Sequence, residues 1–326
     1  MHLDYSILLA SLGHIVFPIV DTRSTYAAAH ANHGELLRLR AIGFYDLIAA
    51  WRLRRFVSSH KIDVIIAHNA RALSLAQLAT PAGFPIIYVA HSSKTKRIDG
   101  ASHYIVLNES MQDAFRVAGV SDSRLSCIPN PCYSVISASA LDQGASSSEL
   151  VLGFIGRFVA EKQIDWLLVA AEAMQNEGHK IHLRLAGDGP LRDDLESEAA
   201  RRGLGRIVFW DGWVDAPLEW LKRVDLLVLP SRHESFGLVL VEAMASGKLV
   251  VCSDADGPAS IMQGAPFPQV VFSRNKLDAC IAALSWQLAH RETWQQQRMF
   301  NRQRAQDFSP ESVGQKIASI LGSLVP

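Results

Sequence analysis

Two glutamates lie eight positions apart in the segment Asp225–Val251, DLLVLPSRHESFGLVLVEAMASGKLVV: Glu234 and Glu242. An apolar run ends at Pro230, and a short polar loop carries Ser231–Phe236. A helical pattern then runs from about Gly237 to Ser246, with Gly247 as its stop. A helix that opens just past the carboxyl end of a strand offers free backbone N–H groups and a positive dipole, which suits a phosphate. Gly237 lets the backbone come close to a diphosphate. Glu242 has Leu238, Val239 and Ala245 at i−4, i−3 and i+3. A carboxylate on an apolar helical face costs free energy unless it has a partner, and a pair of sugar hydroxyls is one such partner. A solvated glutamate on a surface helix is the plainer alternative, and the flanking Val-Leu-Val and Ala-Met-Ala weigh against it.

Two further clusters carry the same kind of chemistry. In Gly153–Lys162, GFIGRFVAEK, a strand leads through Gly156 into a loop bearing Arg157 and Lys162. Two cations on one loop can neutralise a leaving diphosphate. In Leu183–Leu191, LRLAGDGPL, a strand runs into the tight turn that begins at Gly187. Such strand-end loops line the crevice in which open α/β sheets bind ligands. Taken singly, the first cluster reads as solvated cations and the second as a turn. His91, in YVAHSS, and His68-Asn69 also end strands. His91 is read equally as a group near a reaction centre or as a structural hydrogen bonder, and His68 as a supporting residue. Asp254-Ala255-Asp256 matches the D-x-D pattern of metal-dependent transferases, a match of low specificity that we discount. No metal site is expected.

Strand-like runs alternating with helical patterns must position these residues. Ile15–Val20, Val64–Ala67, Ile86–Ala90, Tyr104–Leu107 and Leu125–Ile128 form one set, with helices such as Asp46–Ser58 and Glu109–Ala118 between them. Val151–Ile155, His182–Ala186, Ile207–Phe209, Leu226–Leu229 and Leu249–Cys252 form a second. The alternation predicts two parallel-sheet, Rossmann-like α/β domains, and 326 residues suffice for both. We place the first at 1–133, a Ser/Ala-rich linker at 134–149 and the second at 150–307. Phe308–Leu324 reads as an amphipathic helix with Ser309-Pro310 at its start.

Hydrophobic residues are 49% of the chain and charged residues 20%, which argues against a disordered or nucleic-acid-binding protein. Net charge is zero, but residues 1–130 carry 13 Lys/Arg against 9 Asp/Glu, and the remainder 19 against 23. That imbalance is compatible with ordinary scatter, an anionic acceptor or an anionic membrane surface. The four cysteines have no metal-ligand or C-x-x-C spacing and fit a reducing, cytoplasmic location. The apolar stretch Tyr5–Val20 is interrupted by His14 and Pro18 and is too short to span a bilayer.

The order and separation of GRFVAEK, LAGDGPL, FWDGWV and the E-x7-E of Glu234 and Glu242 resemble the retaining GT-B glycosyltransferases of family 4, the group 1 type. The resemblance covers Val151 to about Pro258. It implies a GT-B architecture, two Rossmann-like domains facing each other across a cleft, with the helix at 308–326 crossing back to the first. It implies catalytic roles for Glu234, facing the transferred sugar, for Arg157 and Lys162 on the donor diphosphate, and for His91. Donor-binding roles follow for Glu242 on the ribose hydroxyls and for the backbone of Phe236, Gly237 and Leu238 on phosphate. Gly156 and Gly187 join them, with Val214 near the base. The implied partners are a nucleotide-diphosphate sugar, as co-substrate rather than cofactor, and a carbohydrate or lipid-linked acceptor, at the inner face of the cell membrane. A GT-B sugar-nucleotide epimerase and a non-catalytic nucleotide-sugar-binding member remain as rivals. Family members begin with a strand and a Gly-rich loop. Here Met1–Gly13 reads as the helix after that loop and Ile15–Val20 as the second strand, so we expect either roughly 15–25 residues encoded upstream or a decayed member.

Overall fold

In the computed structural model, residues 2–23, 35–137 and 149–324 are described. The chain divides into two compact units, Met1–Pro131 with Pro310–Pro326, and Cys132–Ser309. Most of the expected linker, 138–148, lies outside the described residues, as do the last two positions of the terminal helix. Ser134–Ser137 form a helical turn within the second unit.

The first unit holds a four-stranded parallel sheet, β3 (Ile65–Ala67), β4 (Ile86–Val89), β5 (His103–Val106) and β6 (Leu125–Cys127), hydrogen-bonded in that order. Asparagine and aspartate side chains start its helices. Asn69 caps Ala70–Ala79 by accepting from Ala72 N at 2.9 Å, and Asn108 caps Glu109–Val117 through Met111 N at 2.9 Å. Asp46 caps Leu47–Ser59 through Ala49 N and also accepts from Ile42 N, each at 3.0 Å. The helix His2–Ser11 stands where the sequence places it, and Leu8 and Leu12 approach Gly314 of the helix Pro310–Leu324.

The expected strand Ile15–Val20 is corrected. Only β1 (Ile19–Val20) is extended and paired, and its partner β2 (Leu37–Arg38) makes with it a two-stranded sheet apart from β3–β6. Pro18 has no N–H to donate, so pairing begins with its carbonyl, which accepts from Leu37 N at 3.0 Å.

The second unit is a six-stranded, wholly parallel sheet. Its strands are β7 (Leu150–Ile155), β8 (Ile181–Ala186), β9 (Val208–Gly212), β10 (Leu226–Leu229), β11 (Leu249–Ser253) and β12 (Val271–Phe272), in the spatial order β12-β11-β10-β7-β8-β9. Each residue of β10 and β11 is buried, as continuous apolar runs require in a sheet covered on both faces. The chain winds from β7 outward through β8 and β9, then returns to lay β10 against the other side of β7. The winding therefore reverses between β7 and β10.

At that edge the loops close backbone against backbone. Gly156 N donates to Ala186 O at 3.0 Å and Phe158 N to Asp188 O at 2.9 Å. Gly187 has φ +129°, and a Cβ there would stand 1.8 Å from Gly156 O. Gly187→Ala is therefore expected to destabilise the second unit by roughly 1–3 kcal/mol or more. Six of the seven tryptophans lie in that unit, so tryptophan fluorescence during urea unfolding reads it, and an unchanged midpoint would contradict the close approach.

Candidate functional site

In open α/β sheets the strand order reverses at one crevice, and ligands bind there at the carboxyl ends of the strands. In the second unit that place is flanked by the loops following β7 and β10. The β7 loop carries Gly156, Arg157 and, in a 3₁₀ turn Ala160–Lys162, the second cation. The β10 loop carries Ser231–Phe236. Arg232 N donates to Glu161 O at 2.8 Å, which ties the two loops together.

Lys162 and Glu234, 72 positions apart, form an ion pair, their side chains 17% and 19% exposed. Arg157 is exposed, and its side chain makes no ion pair or hydrogen bond with a described residue. Gly257 N donates to the backbone oxygen of Glu234 at 2.9 Å and holds the loop from the other side. The site therefore contains one compensated cation, Lys162, a carboxylate held by its neighbours, and two exposed arginines, Arg157 and Arg232, whose side chains make no ion pair with a described residue.

The helix after β10, Leu238–Ala245, has Gly237 at its N-cap with φ +95° and no side-chain cap. Leu240 N donates to Gly237 O at 2.9 Å, while the N–H groups of Leu238 and Val239 lack intrahelical acceptors, as at any helix start. Leu240, Val241, Ala243 and Met244 are buried, while Leu238, Val239 and Glu242 share the half-buried face. Ser134 Oγ donates to Glu242 Oε1 at 3.4 Å. Burial first, and the Glu242 carboxylate second, push the neighbouring Cys132 thiol up to about 12. The Phe236 side chain is 5% exposed and packs edge-on against Phe308, centroids 5.7 Å apart, so only its backbone is available to a ligand. Gly187 is buried beneath the loop edge. Val214 is half-buried, while Trp213 beside it is 70% exposed and donates to Asp215 at 2.8 Å.

Sequence reasoning missed several partners. Ser134 lies 108 positions from Glu242 in the chain. Asp254 and Asp256 are both engaged by Arg274, whose backbone N and Nε reach Asp254 Oδ1 at 2.8 and 3.2 Å and whose Nη2 reaches Asp256 Oδ1 at 2.9 Å. The D-x-D pair is thus an arginine clamp. Among the described residues no group of three or more His, Cys, Asp or Glu could hold a metal ion.

In the first unit, His68 and His91 follow the adjacent strands β3 and β4. His68 Nδ1 and His91 Nε2 are 3.1 Å apart and the rings are parallel within 9°. A hydrogen bond between the two nitrogens requires one to donate and the other to accept, which links the tautomers of the two rings. Tyr5 packs edge-on against His68 at 4.9 Å. His68, read from the sequence as a supporting residue, thus stands in contact with His91.

Residues 149–290 match the family model for glycosyl transferases group 1, and residues 4–132 that for glycosyltransferase family 4. The chain belongs to this glycosyltransferase family. The chain resembles the α-D-kanosaminyltransferase of Streptomyces kanamyceticus, 32% identical over 122 residues, 37% of this chain and 31% of that protein. The matched stretch thus spans about a third of that relative's length. Over whole chains, HepE of Anabaena, solved in complex with UDP, superimposes with a TM-score of 0.82 at 18% identity, covering 98% of this chain and 96% of that one. The apo form of the lipopolysaccharide outer core galactosyltransferase WaaB gives 0.77 at 16% identity, covering 99% and 95%. The family 4 member described here therefore has the GT-B fold, two Rossmann-like domains. No helix among its described residues is long and apolar enough to cross a membrane.

The Lys162–Glu234 pair is open to direct measurement. In a double-mutant cycle of Lys162→Met and Glu234→Gln, urea unfolding should give a coupling of about 1 kcal/mol, between an exposed and a fully buried pair. Additive effects would show that the two side chains do not interact in solution.

Proposed function

We propose that the chain transfers a sugar from a nucleotide-diphosphate sugar to an acceptor hydroxyl with retention at the anomeric carbon, as a hexosyltransferase-type enzyme. The observation that carries this reading is the grouping of Glu234, Lys162 and the unpaired Arg157 at the sheet's reversal point, beside an uncapped helix N-terminus. The bond from the anomeric carbon to the diphosphate oxygen breaks, and its electron pair leaves with the diphosphate. Arg157, Lys162 and the N–H groups at Phe236, Gly237 and Leu238 hold that growing charge. The acceptor oxygen bonds to the same face of the carbon, and its proton goes to the departing phosphate oxygen.

Glu234 faces the transferred sugar, and Lys162 lies between it and the diphosphate. Glu242 takes the ribose hydroxyls in place of, or together with, Ser134. Gly156 and Gly187 form the floor of the donor site, and Val214 lies near the base. His91 serves the acceptor-side unit, its ring fixed by His68. Two protein cations and a helix N-terminus neutralise the diphosphate, so the reaction requires no divalent cation. The acceptor is a carbohydrate or lipid-linked precursor of a surface polysaccharide. The likeness to WaaB supports that choice, and the UDP in HepE makes uridine nucleotides the first donors to test. The protein acts in the cytoplasm, at the inner face of the cell membrane.

The test is product analysis with UDP-, GDP- and ADP-sugars, a lipid-linked acceptor pool and EDTA. The expected product is a glycoside that keeps the donor's anomeric configuration, formed undiminished in the chelator. An epimerised donor, an inverted product or loss of turnover in EDTA would each overturn the corresponding part of the reading.

The two glutamates should separate kinetically. Glu234→Ala is expected to lower kcat by about 100-fold or more while changing nucleotide Kd by no more than about twofold. Glu242→Ala should weaken nucleotide binding by roughly tenfold or more, the loss of hydrogen bonds to a charged group, with an unchanged circular dichroism spectrum. Isothermal titration with the preferred nucleotide distinguishes the two, and equal effects on Kd would refute the division of labour.

A further inference from the structure

The helix Leu47–Ser59 is sided. Ala49, Ala50, Leu53 and Val57 are buried against a cluster that includes Leu39, Ala41, Leu75 and Ala79. On the opposite side Leu47 is 72% exposed, Ile48 75% and Trp51 60%. Spacings of one, three and four residues put these three on one helical face. Ile42 and Tyr45, in the loop just before the helix, are 83% and 74% exposed. Large apolar side chains scattered singly over a surface need no explanation, but five within ten residues of chain form a patch.

The patch has a basic border. Arg52, Arg54 and Arg55 are exposed on the same helix, and none of their side chains makes an ion pair or hydrogen bond with a described residue. The Arg55 guanidinium lies 5.9 Å from the centre of the Trp51 ring. Between residues 36 and 61 there are six Lys/Arg and one acidic residue, Asp46. Asp46 is occupied in accepting from Ile42 N and Ala49 N. No carboxylate in the segment is left to offset the arginines.

We propose that this face docks the first unit onto an anionic lipid surface, with the helix lying in the plane of the interface. A 13-residue helix is about 20 Å long and convex, so it presents separate side chains rather than a groove. A fluid headgroup layer accommodates such side chains without matching their shape, whereas a protein partner must be shape-complementary. Leu and Ile enter the acyl boundary, Trp and Tyr occupy the headgroup level, and unpaired arginines meet lipid phosphates. A second copy of the chain placed face to face would instead bring six arginines together, a like-charge contact. The inference extends the membrane-side placement proposed above, but it rests on the first unit alone and is read by binding rather than turnover. Its failure is therefore distinguishable from failure of the donor assignment.

The test is co-sedimentation of the full chain with vesicles of phosphatidylcholine alone and with roughly 30% phosphatidylglycerol, at about 100 mM and about 500 mM salt. Binding is expected to phosphatidylglycerol vesicles at low salt and to fall at high salt. Ile48→Ser with Trp51→Ser, and separately the triple reversal Arg52→Glu, Arg54→Glu, Arg55→Glu, should each reduce partitioning by about tenfold or more. All five side chains are exposed, so the thermal unfolding transition should stay within a few degrees of wild type; if one variant unfolds, the other decides. Equal binding by wild type and both variants would overturn the proposal. So would absence of wild-type binding, or sedimentation velocity showing a dimer that the Ile48/Trp51 variant dissociates while lipid binding persists.

Discussion

The candidate donor site depends on one strand pairing, that of β7 with β10. Their registers place Leu226 against Leu152 and Leu227 against Gly153, and the start of the pairing is locked by Asp225. Its side chain accepts from Val151 N, and its backbone N donates to Val151 O, each at 2.9 Å. Gly153 is needed here because Val224 and Trp220 lie 2.6–2.8 Å from where a Cβ would be. With these strands adjacent, loops 72 positions apart in the chain are tied by hydrogen bonds at the carboxyl edge, and Lys162 meets Glu234. With β10 elsewhere in the sheet, the same residues would be solvated charges on unrelated turns.

Charge is managed differently in the two units. In the second, most charges around the sheet edge are balanced: Lys162 with Glu234, Arg274 with two aspartates, and Arg184 with Asp211, which also accepts from Trp220 Nε1. Balanced pairs hold loops at little cost in net field, and they leave Arg157 as a cation without an internal partner. In the first, the arginines of the helix Leu47–Ser59 are uncompensated and sit beside exposed apolar side chains. Balanced charges suit a scaffold that must keep a constant shape, and unbalanced ones suit a surface that meets an anion from outside.

Strands were legible in both units, and β3–β6 of the first were placed to within a residue. In the second unit β7 runs into Gly156, β8 into Gly187 and β10 into Pro230, and β10 and β11 are apolar runs, so β7, β8, β10 and β11 could be placed to within a residue. The missed strand β12 is two residues long, and Ile207–Phe209 proved to be Val208–Gly212 because the strand continues through a register irregularity beside Asp211. In the first unit Ile15–Phe17 has the composition of a strand but pairs with no strand, since a strand is stabilised only where a neighbouring backbone accepts and donates.

Local chemistry was readable from the chain itself. Ser309-Pro310 opens a helix, and Gly237 and Gly187, read as a close-approach position and a tight turn, have the positive φ that only glycine adopts freely, because each depends on residues within a few positions. The spacing of Glu234 and Glu242 likewise set one in a loop and the other on a helix. What tertiary structure alone decided is partnership: Lys162 with Glu234, Ser134 with Glu242, Arg274 with the D-x-D aspartates, and His68 with His91. A side chain's partner is set by which strands become neighbours, and that follows from non-local packing to which sequence spacing is blind.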